Sequence, residues 1–117
     1  MASPIDPKAI DELRSLNPGD DSFLRDLIQI FIEDSPQQIA EIELSLKQGD
    51  ALRLTRAAHS LKGSCSNFGA GQLRAVSEKI ERLGRAGSLG DVPAELPLVK
   101  AEFDRVKTAL QDLVSNG

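Results

Sequence analysis

The chain has 117 residues, the length of one domain, and its hydrophobic content of 40% supports a core. That core must be aliphatic, because aromatic residues make up only 3%. The net charge of −4 and pI of about 4.9, without a basic stripe, argue against nucleic-acid binding. A single cysteine, no membrane-length apolar run and no signal peptide lead us to expect a cytoplasmic protein that does not bind membranes.

The first half of the chain predicts two helices. The first begins at Asp6 and Pro7, an N-cap followed by proline, and ends at the Asn-Pro-Gly turn of residues 17–19. Its apolar positions are Ile10, Leu13 and Leu16. The second helix begins near residue 20 and ends at Gly49, and Pro36 either kinks it or starts a new helix. Its apolar positions are Leu24, Leu27, Ile28, Phe31, Ile32, Ile39, Ile42 and Leu46.

The second half predicts three further helices. One runs from Asp50 to about Phe68, the next follows a turn at residues 69–71, and a glycine-rich loop at residues 84–90 ends it. The last follows Pro93 or Pro97. No alternating run of β-branched residues occurs. We therefore expect a single all-α domain over residues 1–117, with an N-terminal helix and turn at residues 1–19. Residues 20–116 are expected to form an antiparallel four-helix bundle.

The only histidine of the chain lies on the polar face of the third predicted helix. At about 100° per residue, His59 lies about 160° from Leu61. The apolar stripe around Leu61 contains Leu54, Ala57, Ala58, Cys65 and Phe68. The face of His59 contains Thr55, Gly63 and Ser66, with Arg56 and Lys62 on its flanks. We therefore expect an exposed imidazole and a Cys65 that serves the core.

Three residues on this face suit an anion carried by the imidazole. A glycine within an exposed helix costs about 1 kcal/mol relative to alanine, so Gly63 indicates that another surface comes close. The ammonium of Lys62 can reach a group attached to the ring of His59 and offset its charge. A neutral imidazole is nucleophilic, and phosphate is the obvious anion. The alternatives are an exposed histidine without a role and an ordinary surface lysine.

The segment AHSLKGSCSNFGA, residues 58–70, resembles the signature of histidine-containing phosphotransfer (HPt) domains. That signature contains an alanine, the phosphoacceptor histidine, a variable residue, Leu-Lys-Gly, small residues, and a hydrophobic residue followed by glycine. The segments FLRDLIQIFIEDSPQQIAEI, LRAVSEKIERLGR and EFDRVKTAL are similar to the family's other helices. The resemblance covers about residues 20–114. It implies a four-helix bundle with the histidine exposed in the middle of a helix.

The resemblance also implies a role in a two-component phosphorelay. His59 would accept a phosphoryl group from an aspartate of one receiver domain and pass it to an aspartate of another. Lys62 would contact the phosphoryl oxygens, and Gly63 would make room for the receiver. The docking surface would include Thr55, Arg56, Ser60 and Ser66. The expected partners are response-regulator receiver domains, with a hybrid histidine kinase as a further candidate, and the chain is expected to be a monomer.

No cofactor of the chain's own is expected. The sequence offers no acidic cluster arranged for Mg²⁺, so the receiver is expected to supply this metal and most of the catalytic groups. Autonomous kinase activity is not expected, because the chain lacks GxxxxGK[ST]. One histidine and one cysteine do not make a metal site, and Ser64 lacks both the GxSxG context and a second histidine.

One position departs from the family. A glutamine often stands near the active histidine on the following helix, and the matching residue here is Glu81. It lies about 120° from the centre of its helix's apolar stripe, on the flank. It could be solvated, pair with Lys62, or accept a proton from the second ring nitrogen. Because a carboxylate repels a phosphoryl group, our hypothesis is that Glu81 makes the phosphohistidine shorter-lived than glutamine would.

Two interpretations of other classes remain open. One is an interaction module that binds a receiver or another partner and never carries phosphate. The other is a phosphoacceptor segment of a larger histidine kinase, phosphorylated by a catalytic region in the same chain. The first predicts no chemistry at His59.

Overall fold

Five α-helices account for most of the protein. The computed structural model describes residues 3–115, and the helices are α1 (Pro7–Ser15), α2 (Ser22–Gln48), α3 (Ala51–Cys65), α4 (Gly71–Ala86) and α5 (Leu96–Ser115). Short 3₁₀ turns lie at Ser66–Phe68, Leu89–Asp91 and Pro93–Glu95. No strand occurs within residues 3–115, so the all-α prediction is confirmed. The predicted domain ends at residues 1, 116 and 117 lie outside the described residues.

Helices α2 to α5 pack as a four-helix bundle. Helix α3 packs against both α2 and α4, and α5 packs against α2 and α4 on the other side. Short connections make successive helices antiparallel. The tightest consists of Gly49, which ends α2 in a left-handed conformation (φ 69°), and Asp50, whose side chain accepts a hydrogen bond from the N–H of Arg53. The core is formed mainly by aliphatic side chains, among them Leu24, Ile42, Leu54, Leu61, Ile80, Val99 and Leu110.

Helix α1 covers the end of α3. The carboxylate of Asp6 caps α1 by accepting a hydrogen bond from the N–H of Lys8 at 3.0 Å. The N–H of Asp6 donates to the carbonyl of Phe68 at 2.9 Å, and Ile10 is buried. The predicted helix is therefore confirmed, but the predicted apolar position Leu16 is wrong, because it lies beyond the helix and is 69% exposed.

Two helices continue through a proline or glycine at which the sequence suggests an interruption. Helix α2 continues through Pro36, which lies on its exposed side. Helix α4 continues through Gly84 to Ala86, so the predicted loop at residues 84–90 begins too early. Gly84 is buried against α3, where a Cβ would collide with Oγ1 of Thr55. Gly84 therefore permits close packing of two helices, and Gly87 (φ 72°) ends α4 instead.

We expect Gly84→Ala to destabilise the protein by about 1–3 kcal/mol, because the added methyl overpacks the contact between α3 and α4. This loss outweighs the gain of about 1 kcal/mol that alanine brings to a helix. Urea unfolding measures the change. The double variant Gly84→Ala with Thr55→Ala should recover part of the loss, because it removes the colliding hydroxyl. A single variant as stable as the wild type would show that the two helices can separate without cost.

Candidate functional site

The predicted orientation of α3 is confirmed. The side chain of His59 is 63% exposed in the middle of this helix. Leu54, Ala58 and Leu61, on the opposite face, are fully buried. Cys65 is also buried, its Sγ donates to the carbonyl of Leu61 at 3.2 Å, and burial raises the pKa of the thiol to about 12. His59 is therefore the accessible nucleophile of α3, and Cys65 is inert.

The neighbour of His59 is a buried carboxylate. Glu81 on α4 is only 1% exposed, and its Oε2 lies 2.9 Å from Nδ1 of His59. The predicted alternative of a solvated glutamate is therefore wrong. The other two alternatives both occur, because Oε1 of Glu81 also lies 2.7 Å from Nζ of Lys62. Gly84, one turn further along α4, permits close packing of α3 against α4 near this carboxylate.

A third basic group belongs to the cluster. Nη2 of Arg85 lies 2.6 Å from Oε2 of Glu81, the same oxygen that contacts His59. We did not predict Arg85 as a site residue, although the i,i+4 spacing from Glu81 on a helix is a signal that could have found it. We call Glu81, His59, Lys62 and Arg85 the carboxylate cluster. With a neutral imidazole it carries one net positive charge.

The charge of Glu81 decides which ring nitrogen is free. Burial alone would raise the pKa of this carboxyl. Hydrogen bonds from Lys62 and His59, with the positive charges of Lys62 and Arg85, outweigh burial and hold the pKa below its ordinary value of 4.5. An ionised carboxylate only accepts hydrogen bonds, so Nδ1 of His59 must carry the proton. The lone pair of the neutral ring is then on Nε2.

The pKa of Glu81 predicts how its contribution to stability depends on pH. The pKa of Glu81 is lower in the folded protein than in the unfolded chain. Its charge therefore stabilises the fold fully at pH values above the unfolded-state pKa, and this stabilisation is lost as the pH falls through the folded-state pKa. We expect Glu81→Gln to cost about 1–3 kcal/mol at neutral pH. The difference from the wild type should shrink below about pH 4.5. Urea unfolding between neutral pH and about pH 3 tests this.

The control for that experiment is Glu12→Gln, which removes an exposed carboxylate on α1. It should lie close to the wild type over the whole pH range. A wild-type advantage over Glu81→Gln that grows on acidification would contradict the lowered pKa.

The remaining predicted site residues differ in their exposure to solvent. Arg56, Ser60, Gly63 and Ser66 are exposed. A Cβ built on Gly63 meets nothing within 4 Å, so no part of the described chain requires a glycine there. Thr55 is half-buried, because its hydroxyl donates to the carbonyl of Ala51 at 2.7 Å and it lies against α4 at Gly84. The face around His59 is therefore open to another molecule mainly at the four exposed residues, and less so at Thr55.

An exposed leucine extends this face. Leu52 lies seven residues before His59, hence on the same side of α3, and is 62% exposed. A shallow groove between α2 and α3 is lined by residues that include Gln37, Glu41, Arg56 and Ser60. The accessible face of α3 thus combines polar side chains with one exposed leucine.

Residues 3–115 contain neither a candidate metal site nor a membrane-spanning helix. No group of three or more His, Cys, Asp or Glu side chains is arranged to hold a metal ion. No helix in this part of the chain is long and apolar enough to cross a membrane.

The chain is similar to known proteins over most of its length. The family model of the Hpt domain matches residues 26–113. Histidine-containing phosphotransfer protein 5 of Arabidopsis thaliana is 31% identical over 110 residues, covering 87% of this chain and 68% of that protein. Multistep phosphorelay regulator 1 of Schizosaccharomyces pombe is 27% identical over 107 residues, covering 91% of this chain. The crystal structure of HptB from Pseudomonas aeruginosa matches with a TM-score of 0.90 and 27% identity, covering 100% of this chain and 99% of that one.

The similarity differs in extent between these proteins. The match covers only 36% of the fission yeast regulator and 60% of the phosphorelay intermediate protein YPD1 of Candida albicans. The chain thus spans less than two thirds of the length of these two relatives.

Proposed function

This chain belongs to the Hpt domain family, and we propose that it acts as a phosphorelay intermediate. In this role His59 accepts a phosphoryl group from the aspartate of one receiver domain and passes it to the aspartate of another. The family predicted from residues 58–70 is thereby confirmed. The names of the relatives and the exposed imidazole both support the proposed activity.

The observation that carries the proposal is the fixed orientation of an exposed imidazole. Glu81 holds Nδ1 of His59 from inside the protein, so Nε2 and its lone pair are available to a partner. Attack on a phosphorus atom requires a nucleophile held in line with the leaving oxygen. A ring held at one nitrogen by a buried side chain meets this need without rearrangement of the bundle.

Lys62 is the proposed contact to the phosphoryl oxygens. Its ammonium now lies against Glu81, and its side chain is 19% exposed. It is one helical turn from His59, so rotation of its flexible side chain can bring the ammonium to a phosphoryl group on Nε2. The expected contact therefore competes with the ion pair to Glu81.

The remaining groups needed for phosphoryl transfer are proposed to lie on the receiver domain. Phosphoryl transfer requires neutralisation of charge by Mg²⁺, and we propose that the receiver domain holds this ion beside its aspartate. Arg56, Ser60, Gly63 and Ser66 would form the surface on which the receiver docks. A hybrid histidine kinase as the source of the phosphoryl group, a monomeric state and a cytoplasmic location remain parts of this proposal.

Transfer from a phosphorylated receiver tests the proposal. A receiver domain is labelled with radioactive phosphate on its aspartate, purified, and mixed with this protein and Mg²⁺. We expect the label to move to the protein and to be acid-labile and alkali-stable, as a phosphoramidate is. Absence of label with several receivers that nevertheless bind the protein would favour an interaction module. Label that appears only with a histidine kinase catalytic region would favour the phosphoacceptor segment of a kinase.

A further inference from the structure

We propose that Glu81 keeps a proton on Nδ1 of His59 throughout phosphoryl transfer, and so makes the phosphohistidine a more reactive donor. Glu81 is then a positioning residue that acts through the ring and touches no transferred atom. This inference rests on the proposed function, because it concerns the phosphorylated form of the same histidine.

The contacts of Glu81 give the reason for the proposal. Glu81 is 1% exposed and its Oε2 lies 2.9 Å from Nδ1 of His59, so a carboxylate withdrawn from solvent forms this hydrogen bond. The charged groups that face the pair are Lys62 from α3 and Arg85 from α4. Within the described residues, no charged side chain of α2 or α5 forms an ion pair with Glu81. These two cations keep the carboxylate ionised, and a carboxylate accepts a proton that Nδ1 donates.

With a proton on Nδ1, His59 can both accept and donate the phosphoryl group without any proton transfer. During acceptance, Nε2 forms a bond to phosphorus, the bond from phosphorus to the receiver's carboxylate oxygen breaks, and that oxygen keeps the electron pair. The ring then carries a phosphoryl group on Nε2 and a proton on Nδ1, hence one positive charge. During donation a carboxylate oxygen of the second receiver's aspartate forms a bond to phosphorus, the P–Nε2 bond breaks, and its electron pair stays on Nε2. The ring leaves as neutral imidazole, and no proton has moved.

Without the proton, donation is harder. A phosphorylated ring that has lost its Nδ1 proton must leave as an imidazolate anion or collect a proton during the step. A carboxylate at hydrogen-bond distance favours the positively charged ring, so it raises the pH up to which the reactive form persists. Glu81 therefore extends the reactive form of the phosphohistidine to higher pH.

The charge of Glu81 has a second effect in the same direction. Lys62 and Arg85 are both paired with it, so less positive charge remains for the phosphoryl oxygens. Glutamine has nearly the same shape and its amide oxygen still accepts a hydrogen bond from Nδ1–H, but it carries no charge. Glu81→Gln thus preserves the orientation of the ring and removes only the electrostatic effect.

The test follows the decay of the phosphorylated protein as a function of pH. Wild type and Glu81→Gln are phosphorylated by the same phospho-receiver, separated from it, and incubated between about pH 5 and pH 9, where the phosphorylated ring titrates. Loss of phosphate is followed on phosphate-affinity gels. We expect the midpoint of the decay profile to lie about one pH unit lower in Glu81→Gln, and its phosphohistidine to live about tenfold longer above that midpoint. Donation to a second receiver should slow to a similar extent.

Glu95→Gln is the matched control. Glu95 is the other buried carboxylate of the described chain, it pairs with Lys79 at 2.6 Å, and it does not contact His59. Its substitution should alter stability but leave the decay profile unchanged. Equal decay profiles for wild type and Glu81→Gln would overturn the role of Glu81 and leave the relay intact. Failure of the wild type to accept phosphate would instead overturn the proposed function.

A second measurement applies if Glu81→Gln does not fold or accept phosphate. The ring nitrogens of phosphorylated wild-type His59 are observed by ¹⁵N NMR as the pH is raised. We expect the Nδ1 proton to persist to a higher pH than in free phosphohistidine. Loss of that proton at the same pH as in the free amino acid would contradict the inference.

Discussion

His59→Gln is expected to accept no phosphate while it keeps its fold. The only histidine of the chain is lost in this variant, and the glutamine amide nitrogen has no basic lone pair with which to attack phosphorus. The side chain of His59 is 63% exposed and lies away from the core, so the free energy of unfolding should change by less than about 1 kcal/mol. A glutamine amide can still donate a hydrogen bond to Glu81, which limits the loss further.

Two measurements on His59→Gln separate chemistry from folding. Labelling by a phospho-receiver is compared with the wild type, and thermal unfolding is followed by circular dichroism. The variant should also bind the receiver with nearly unchanged affinity, because a single exposed side chain is replaced by one of similar size. A large fall in melting temperature would show that His59 stabilises the bundle and that its face has been misjudged. Full labelling of the variant would place the acceptor elsewhere.

Gly63→Gln should have the second-largest effect, this time on docking. Gly63 is exposed one turn from His59, and a Cβ there meets nothing within 4 Å. A side chain at this position therefore points away from the protein, into the space that an approaching receiver would occupy. We expect the transfer rate at low receiver concentration to fall at least about tenfold, which corresponds to about 1.4 kcal/mol of binding. The helix itself should become slightly more stable, because glycine is replaced by a better helix former.

The comparison that isolates docking uses a small phosphodonor. Phosphoramidate needs no receiver surface, so it should phosphorylate Gly63→Gln and the wild type at similar rates. Gly63→Ala adds only one methyl group, so its rate of phosphoryl transfer from the receiver should lie between those of the wild type and Gly63→Gln. Transfer to Gly63→Gln as fast as to the wild type would contradict the requirement for close approach at this position.

The position of His59 could be predicted because it depends on a single helix. The apolar residues of α3 recur at helical spacing, and this pattern alone places the imidazole on the exposed side. The predicted helix N-caps at Asp6 and Asp50 are confirmed for the same reason, since capping is local and depends on a few neighbouring residues.

The burial of Glu81 could not be predicted from its own helix. On α4 it lies at the edge of the apolar stripe, where a glutamate is normally solvated. It is buried because α3 approaches α4 closely at Gly84, and because Lys62 and Arg85 compensate the cost of burying its charge. The sequence also predicts a loop at Gly84, since a glycine that permits close packing and a glycine that forms a turn look alike in a sequence. Both errors concern contacts between helices, which periodicity does not report.

In the proposed relay His59 carries a phosphoryl group between two receivers, and a chase experiment tests this role most directly. The protein is labelled by one phospho-receiver, purified away from it, and mixed with an unlabelled second receiver and Mg²⁺. We predict that the label leaves His59 and appears on the aspartate of the second receiver, faster than it is lost to water. Label that remains on the protein, or that is released only as inorganic phosphate with every receiver tested, would contradict the relay.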